Sequence, residues 1–347
     1  MRAKDLYSGT IMSLRGRCGS LTTGITNLHE LTTPLLITYQ SLATTYLVHP
    51  VDIASTSVAD AVGGTGAQQI EICGLDGNYN IQTEIVNTSG SLTVPATSTK
   101  SYLRIFSAQV VRTGSGMINA GAIVVYKSGQ GGTLAGGIPP TQTSLWLRML
   151  AGYGTATSGI FTVPKGYTVE ARQLIVTART QISDLYIVSQ ETGVQEIQTL
   201  TITAKPTASG NLSIVLDGTT AVTVAVLDTD SIEQVCTKIA SYTYKGWTAV
   251  ATATTVVFTS NVGILRAGAN TLGVAATGVV GAFVETLAGA SNPYQTEFAI
   301  GTSNNALCID LPLINDFRWT EKTDIYLRAL STTAAGVVTA NLLLRKV

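Results

Sequence analysis

The chain has 347 residues, of which only 12% are charged, 21 basic against 21 acidic. It has no basic excess for a nucleic-acid groove and little charge to keep the surface of a free monomer wet. The apolar run from Leu272 to Val284 is interrupted by Gly and Thr and falls short of the ~20 residues of a membrane-spanning helix. Cys18, Cys73, Cys236 and Cys308 are scattered without a Cys-x-x-Cys pair, which excludes the usual zinc and redox spacings.

Residues 1–45 read as an irregular N-terminal arm. Arg2, Lys4, Arg15 and Arg17 face one acid, Asp5. The bias suits a solvated arm, or one that touches a negatively charged neighbour. The opening "MRAKDLYSGTIMSLRG" has no apolar core for a secretion signal. The expectation is a soluble chain with no membrane span.

Residues 46–130 read as a first β-sandwich. Gln68–Leu75 and Asn80–Asn87 alternate apolar and polar residues around the turn "DGNY", which is a hairpin signature. "SYLRIFSAQVV" and "AGAIVVYK" follow at roughly ten-residue spacing, as in sandwiches and barrels. Residues 131–158 read as a linker, because five glycines and two prolines lie between Ser128 and Gln142.

A second sandwich is expected from residues 159–195 and 291–347. It is split by an inserted α+β unit at 196–290, since inserted loops cost little closure entropy. Within the insertion, Asp217-Gly218 marks a hairpin. Asp230 and Glu233 form a capping-box pattern ahead of Ile232, Val235, Cys236 and Ile239 on one helical face. Thr-Val-Pro occurs at 93–95 and again at 162–164. Each copy is read as closing an edge segment, where proline stops pairing, ahead of a long alternating strand. The fold class is therefore mainly β: two jelly-roll-like sandwich or barrel domains in tandem, with a small α+β domain inserted in the second.

The chemistry is sparse. The two histidines, His29 and His49, have no Gly-x-Ser-x-Gly elbow to serve. Asp76, Asn78 and Asn80 start a calcium-loop pattern, but Ile81 replaces its glycine and Asn87 its final glutamate. Asp310, Asp316, Glu321 and Asp324 are candidate glycosidase carboxylates, and Phe317 and Trp319 candidate sugar platforms. The stronger reading makes these aromatics, with Trp146 and Trp247, plugs or interface residues. No catalytic, cofactor-binding or metal-binding residue is expected.

"GLDGNYN", "SYLR" and "NAGAI" in the first half, with "FTVPKG" and "EKTDIYLR" in the second, resemble paired modules of structural proteins of aquatic tailed phages. The likeness covers residues 50–190 and 294–347. The inserted unit is similar to small domains that decorate phage tail and capsid proteins. The resemblance implies a non-enzymatic virion protein, with a double-barrel capsid subunit as the leading form. The alternatives are a decoration, fibre or tail-attached component, and a carbohydrate-binding adhesin using Trp247 or Trp319. The implied partners are copies of itself in a trimer and other virion proteins, with the N-terminal arm against genome or an internal layer. The implied location is the virion.

Overall fold

The structure, a computed structural model, describes residues 12–18, 24–27, 30–31, 48–129, 133–139, 145–179, 183–191, 193–261, 263, 266, 268–290, 292, 295–301, 307–312, 317–331 and 337–347. His29, Asp316 and most of the expected arm lie outside these residues. The fold is mainly β, and the chain forms two compact units: Met1–Glu191 with Tyr294–Val347, and Thr192–Pro293.

The first unit opens with a sandwich of two four-stranded antiparallel sheets. One sheet is ordered Leu145–Met149, Ile123–Lys127, Val51–Ser55, Ala96–Thr97. The other is ordered Thr155–Thr157, Arg104–Thr113, Ala67–Leu75, Ile81–Asn87. Period-2 alternation sends Val51, Ile53, Ile123 and Val125 inward from the first to meet Ile70, Ile72 and Ile105 from the second. Each such side chain is worth about 2 kcal/mol relative to exposure.

The hairpin is where its sequence puts it. Asp76 Oδ1 accepts the amides of Asn78 (2.8 Å) and Asn80 (2.9 Å), and Tyr79 takes a left-handed φ of 64°.

Three expectations are corrected here. Residues 145–157, read as part of the linker, supply an edge strand to each sheet, and Trp146 and Leu147 are buried in the core. The glycine and proline run ends before them, and "LWLRM" then alternates. Among the described residues the two sheets stay separate and form no closed barrel. A jelly roll also sets its first and last strands side by side, whereas Val51–Ser55 and Thr155–Thr157 lie in different sheets. Finally, only the second Thr-Val-Pro closes a strand, Ile160–Thr162; the first lies in the loop before Ala96–Thr97.

The other sandwich of this unit has a six-stranded sheet. It runs Leu307–Pro312, Val169–Arg179, Val337–Lys346, Met12–Cys18, Glu30–Leu31, with Arg318–Trp319 also beside Val169–Arg179. The facing five-stranded sheet runs Ile160–Thr162, Asp324–Ser331, Ser183–Gln190, Gln295–Gly301, with Gly24–Asn27 also beside Asp324–Ser331. Leu174, Val176, Leu185, Ile187, Leu327 and Leu342 are buried. Phe298 and Phe317 meet edge-on, centroids 6.2 Å apart. The stretch expected to be an irregular arm thus contributes strands to both sheets. Met12, Leu14, Gly16 and Cys18 do alternate with Ser and Arg, a pattern hidden by the polar flanks.

The second unit packs a four-stranded sheet, a three-stranded sheet and one helix around a single core. The four strands run Trp247–Ala251, Thr255–Ser260, Ile197–Ala204, Val280–Leu287. The three run Val222–Val226, Gly210–Val215, Thr271–Gly273. The helix Ile232–Ser241 buries Val235, Cys236 and Ile239 against Leu200, Phe258 and Val224. Its N-cap is Ser231, not Asp230, and the capping box is closed by Gln234, not Glu233. Asp230 is occupied elsewhere: it accepts the Leu227 amide at 2.7 Å and pairs with Lys238 at 2.6 Å.

Substituting Ser231→Ala removes the cap and is expected to cost about 1 kcal/mol, read from denaturant unfolding of the second unit. Burial opposes the Asp230 charge, but the Leu227 amide and Lys238 outweigh it and hold the carboxyl below its ordinary 3.8. A depressed carboxyl stabilises the fold above its unfolded value and loses that contribution as the pH falls through the folded one. The acid limb of the unit's stability profile is therefore expected to flatten in Asp230→Asn.

Candidate functional site

Four of the motifs that stand out in the sequence, "GLDGNYN", "SYLR", "FTVPKG" and "EKTDIYLR", converge on the joint between the two sandwiches of the first unit. Tyr79 from the hairpin accepts the Lys165 amide at 2.9 Å, and Lys322 lies 5.5 Å over the Tyr79 ring. Val163 bonds two successive residues of the facing turn: its amide donates to Thr323 O at 2.9 Å, and its carbonyl accepts the Lys322 amide at 2.7 Å. Glu321 accepts the Gly166 amide. Phe106 and Phe161 pack at 4.8 Å.

At the centre lies an ion pair. Arg104 Nη2 sits 3.4 Å from Asp324 Oδ2, with both side chains almost wholly buried. Thr162 Oγ1 and Tyr326 OH also donate to the Asp324 carboxylate, and Arg104 Nη1 donates to Leu103 O. Burial pushes the Asp324 carboxyl up, while Arg104 and the hydroxyls pull it down without cancelling that effect. A buried, fully engaged carboxylate of this kind holds a joint and is closed to solvent.

The remaining candidates disperse. Asp310 is exposed on the opposite sheet, where it accepts Gln173 Nε2 at 2.7 Å. Glu321 is exposed in a turn, so the described carboxylates do not form a pair across one cleft. Asp76 turns both carboxylate oxygens onto its own loop, with Oδ2 accepting Asn80 Nδ2 at 3.1 Å. Among the described residues no group of three potential ligands could hold a metal ion. Trp146, Trp247 and Trp319 are all buried, and Arg266 covers the Trp247 ring at 4.9 Å, so none offers a face to a sugar. His49 bridges to Tyr102 through its backbone. Burial pushes the Cys73 thiol up to about 12 and also raises that of Cys236, leaving both as neutral core groups.

The other end of the first sandwich was missed from sequence. Four loops, 56–66, 88–95, 114–122 and 150–154, gather there, because the strands they join end together in register. Asp60 is their only charged residue, and it is wholly buried. Its carboxylate accepts the amides of Ala67 (2.7 Å), Ala120 (2.8 Å) and Gly121 (2.8 Å) and the hydroxyl of Ser55 (2.6 Å). Asn119 ties the loop 150–154: Nδ2 donates to Gly121 O and Leu150 O, and Oδ1 accepts the Gly154 amide. The packing tolerates only glycine at several points, two of them beside the Asp60 network. A Cβ at Gly66 would stand 2.1 Å from Asp60 Oδ1, and one at Gly121 2.6 Å from Ser57 N. On this fixed base the loops expose Val58, Val62, Val94, Met117 and Tyr153, Met117 to 83%. The legible signal was a single charge among the residues of loops 56–66, 88–95, 114–122 and 150–154, which are separate in sequence and which only the register brings together.

A second uncharged surface lies on the inserted unit. Its four-stranded sheet buries Leu200, Val256 and Phe258, so the alternate residues point away from that core. One row across the strands reads Val250, Val257, Thr199, Val284, and the next Thr255, Thr201, Ala282. Val250 and Val284 are largely exposed.

No family model matches the chain, and no curated protein does. Among solved structures, alignments cover 97% of this chain against infectious bursal virus derived T=1 particles, at 11% identity, 78% of that chain and a TM-score of 0.11. The infectious bursal disease virus Gt strain aligns over the same share at 10% identity, 79% and 0.10, and the VP2 subviral particle of that virus at 12%, 80% and 0.10. These are viral particle proteins rather than members of an aquatic-phage family. At such scores the likeness carries no argument for this chain.

Two outcomes test this site. Asp324→Ala strands a buried guanidinium and is expected to cost about 3–5 kcal/mol, whereas the double change Arg104→Met, Asp324→Leu is near neutral in denaturant unfolding. Asp60→Ala leaves several buried donors unsatisfied and is expected to cost about 3 kcal/mol or more, with exchange protection lost at Ala67, Ala120 and Gly121.

Proposed function

We propose that the chain is a non-enzymatic structural subunit of a virus particle, which acts by assembling with copies of itself and with other virion proteins. The observation that carries this reading is the uncharged, apolar loop end held rigid by Asp60 and Asn119. Contiguous exposed apolar surface marks an interaction site, and a fixed backbone keeps the entropy cost of docking low. The exposed Val/Thr face of the inserted unit supports the same reading, as does the phage-protein likeness of the joint motifs. Its location is then the virion, its association state a trimer, and it needs no cofactor. Contact with genome or an internal layer would fall to the basic residues of the N-terminal stretch, Arg2, Lys4, Arg15 and Arg17.

A capsid-shell subunit is one form of this reading. The open sandwiches, with an inserted unit in place of paired barrels, favour the second form, a decoration or tail-attached component. Copy number per particle separates them: hundreds for a shell, on the order of tens or fewer for a tail part. The assembly reading itself is tested by Val62→Lys with Met117→Lys. These exposed changes are expected to leave the unfolding midpoint within about 0.5 kcal/mol. Sedimentation is expected to shift from oligomer to monomer. A wild-type chain that stays monomeric at high concentration, and is missing from particles, refutes the proposal.

A further inference from the structure

The N-terminal strands complete a sandwich built by the other end of the chain. Met12–Cys18 pairs antiparallel with Val337–Lys346 over seven positions, from Met12 opposite Leu344 to Cys18 opposite Val338. Gly24–Asn27 pairs with Asp324–Ser331, from Gly24 opposite Ser331 to Asn27 opposite Arg328. The second pairing extends an edge that Ile160–Thr162 occupies only as far as Tyr326. One short segment therefore clips both sheets. It joins the rest of the chain through residues 32–47, which fully extended reach at most about 58 Å.

We propose that this clip, residues 12–31, is exchanged between copies of the chain in the assembled state, each subunit supplying the strands that complete its neighbour's second sandwich. The inference rests on the assembly reading above. Backbone pairing is the same whether the donor strand comes from its own chain or from the next, so exchange costs little in contacts. In dilute protein the connector holds the effective concentration of the chain's own clip above that of any other, and the clip folds back on itself. Packed neighbours within reach of the connector remove that advantage. Exchange also answers a need of this surface: Val, Thr and Ala faces are adhesive but weak in orientation, whereas strand pairing fixes register. A clip that engages both sheets holds the donor in one register and closes two edges that are otherwise open to non-specific pairing.

The register supplies the test. Val338→Cys places a cysteine opposite the native Cys18. Arg17→Cys with Thr339→Cys does the same one position along. Neighbouring antiparallel positions alternate between narrow and wide pairs, so the two variants sample both geometries. The full-length variants are assembled, oxidised and run on a denaturing gel without reductant, with Cys18→Ser, Val338→Cys as the control for other thiols. Interchain dimers and higher ladders are expected as the main linked product from assemblies, and internally linked monomer from dilute protein. Assemblies whose links are all internal overturn the exchange and leave the assembly reading standing. Absence of a link in both registers overturns the pairing on which the exchange depends. A wild-type chain that never associates overturns both readings.

Discussion

The first unit depends on a buried charge pair that few sandwiches would tolerate. Taking Arg104 and Asp324 out of water costs more than a single 3.4 Å contact returns, and the balance is met by Thr162, Tyr326 and the Leu103 carbonyl. Such a pair adds less to stability than to the choice of arrangement. Two β-sandwiches can meet end to end in many rotations, and apolar contact such as Phe106 on Phe161 does not distinguish among them. A guanidinium that must meet one carboxylate does. Around it, the Lys165 amide on Tyr79 O and Lys322 over the Tyr79 ring cross the same joint, while the bonds of Val163 and of Glu321 to Gly166 brace the second sandwich's side of it.

With the joint fixed, the opposite end of the first sandwich becomes a platform whose loops hold their positions. Asp60 works there as Asp324 does at the joint, but its partners are backbone amides in place of a cation. A carboxylate satisfied by three amides ties its own loop to one some 60 residues on without leaving any charge at the surface. The outcome is a rigid surface with exposed apolar tips. A chain with so little charge has few other ways to make a surface both ordered and adhesive.

The inserted unit follows the same economy. Its one buried arginine, Arg266, is satisfied by Asp217, the Gly246 carbonyl and the face of Trp247, so the polar chemistry of the unit is turned inward. The outer rows of its larger sheet are left to Val, Thr and Ala. In both units buried ionisable groups thus serve internal order: Asp60, Arg104 and Asp324 in the first, Arg266 in the second.

The local elements were legible in the sequence because they rest on short-range physics: period-2 alternation for the strands, Asp-Gly-Asn-Tyr for the hairpin, and a helical face of Ile232, Val235, Cys236 and Ile239 for the helix Ile232–Ser241. Even the misplaced cap was an error of one residue, since Asp230 and Ser231 are both good caps and only the Leu227 turn and Lys238 decide which is free to serve. Which strands pair was not legible. Period 2 assigns a face to each residue but no neighbour to each strand. The N-terminal strand finds its place against Val337–Lys346, more than 300 residues away, and Arg104 meets Asp324 across 220. Those contacts, and the uncharged loop end that they orient, exist only once the sheets are assembled, because no local rule of sequence encodes a partner that distant.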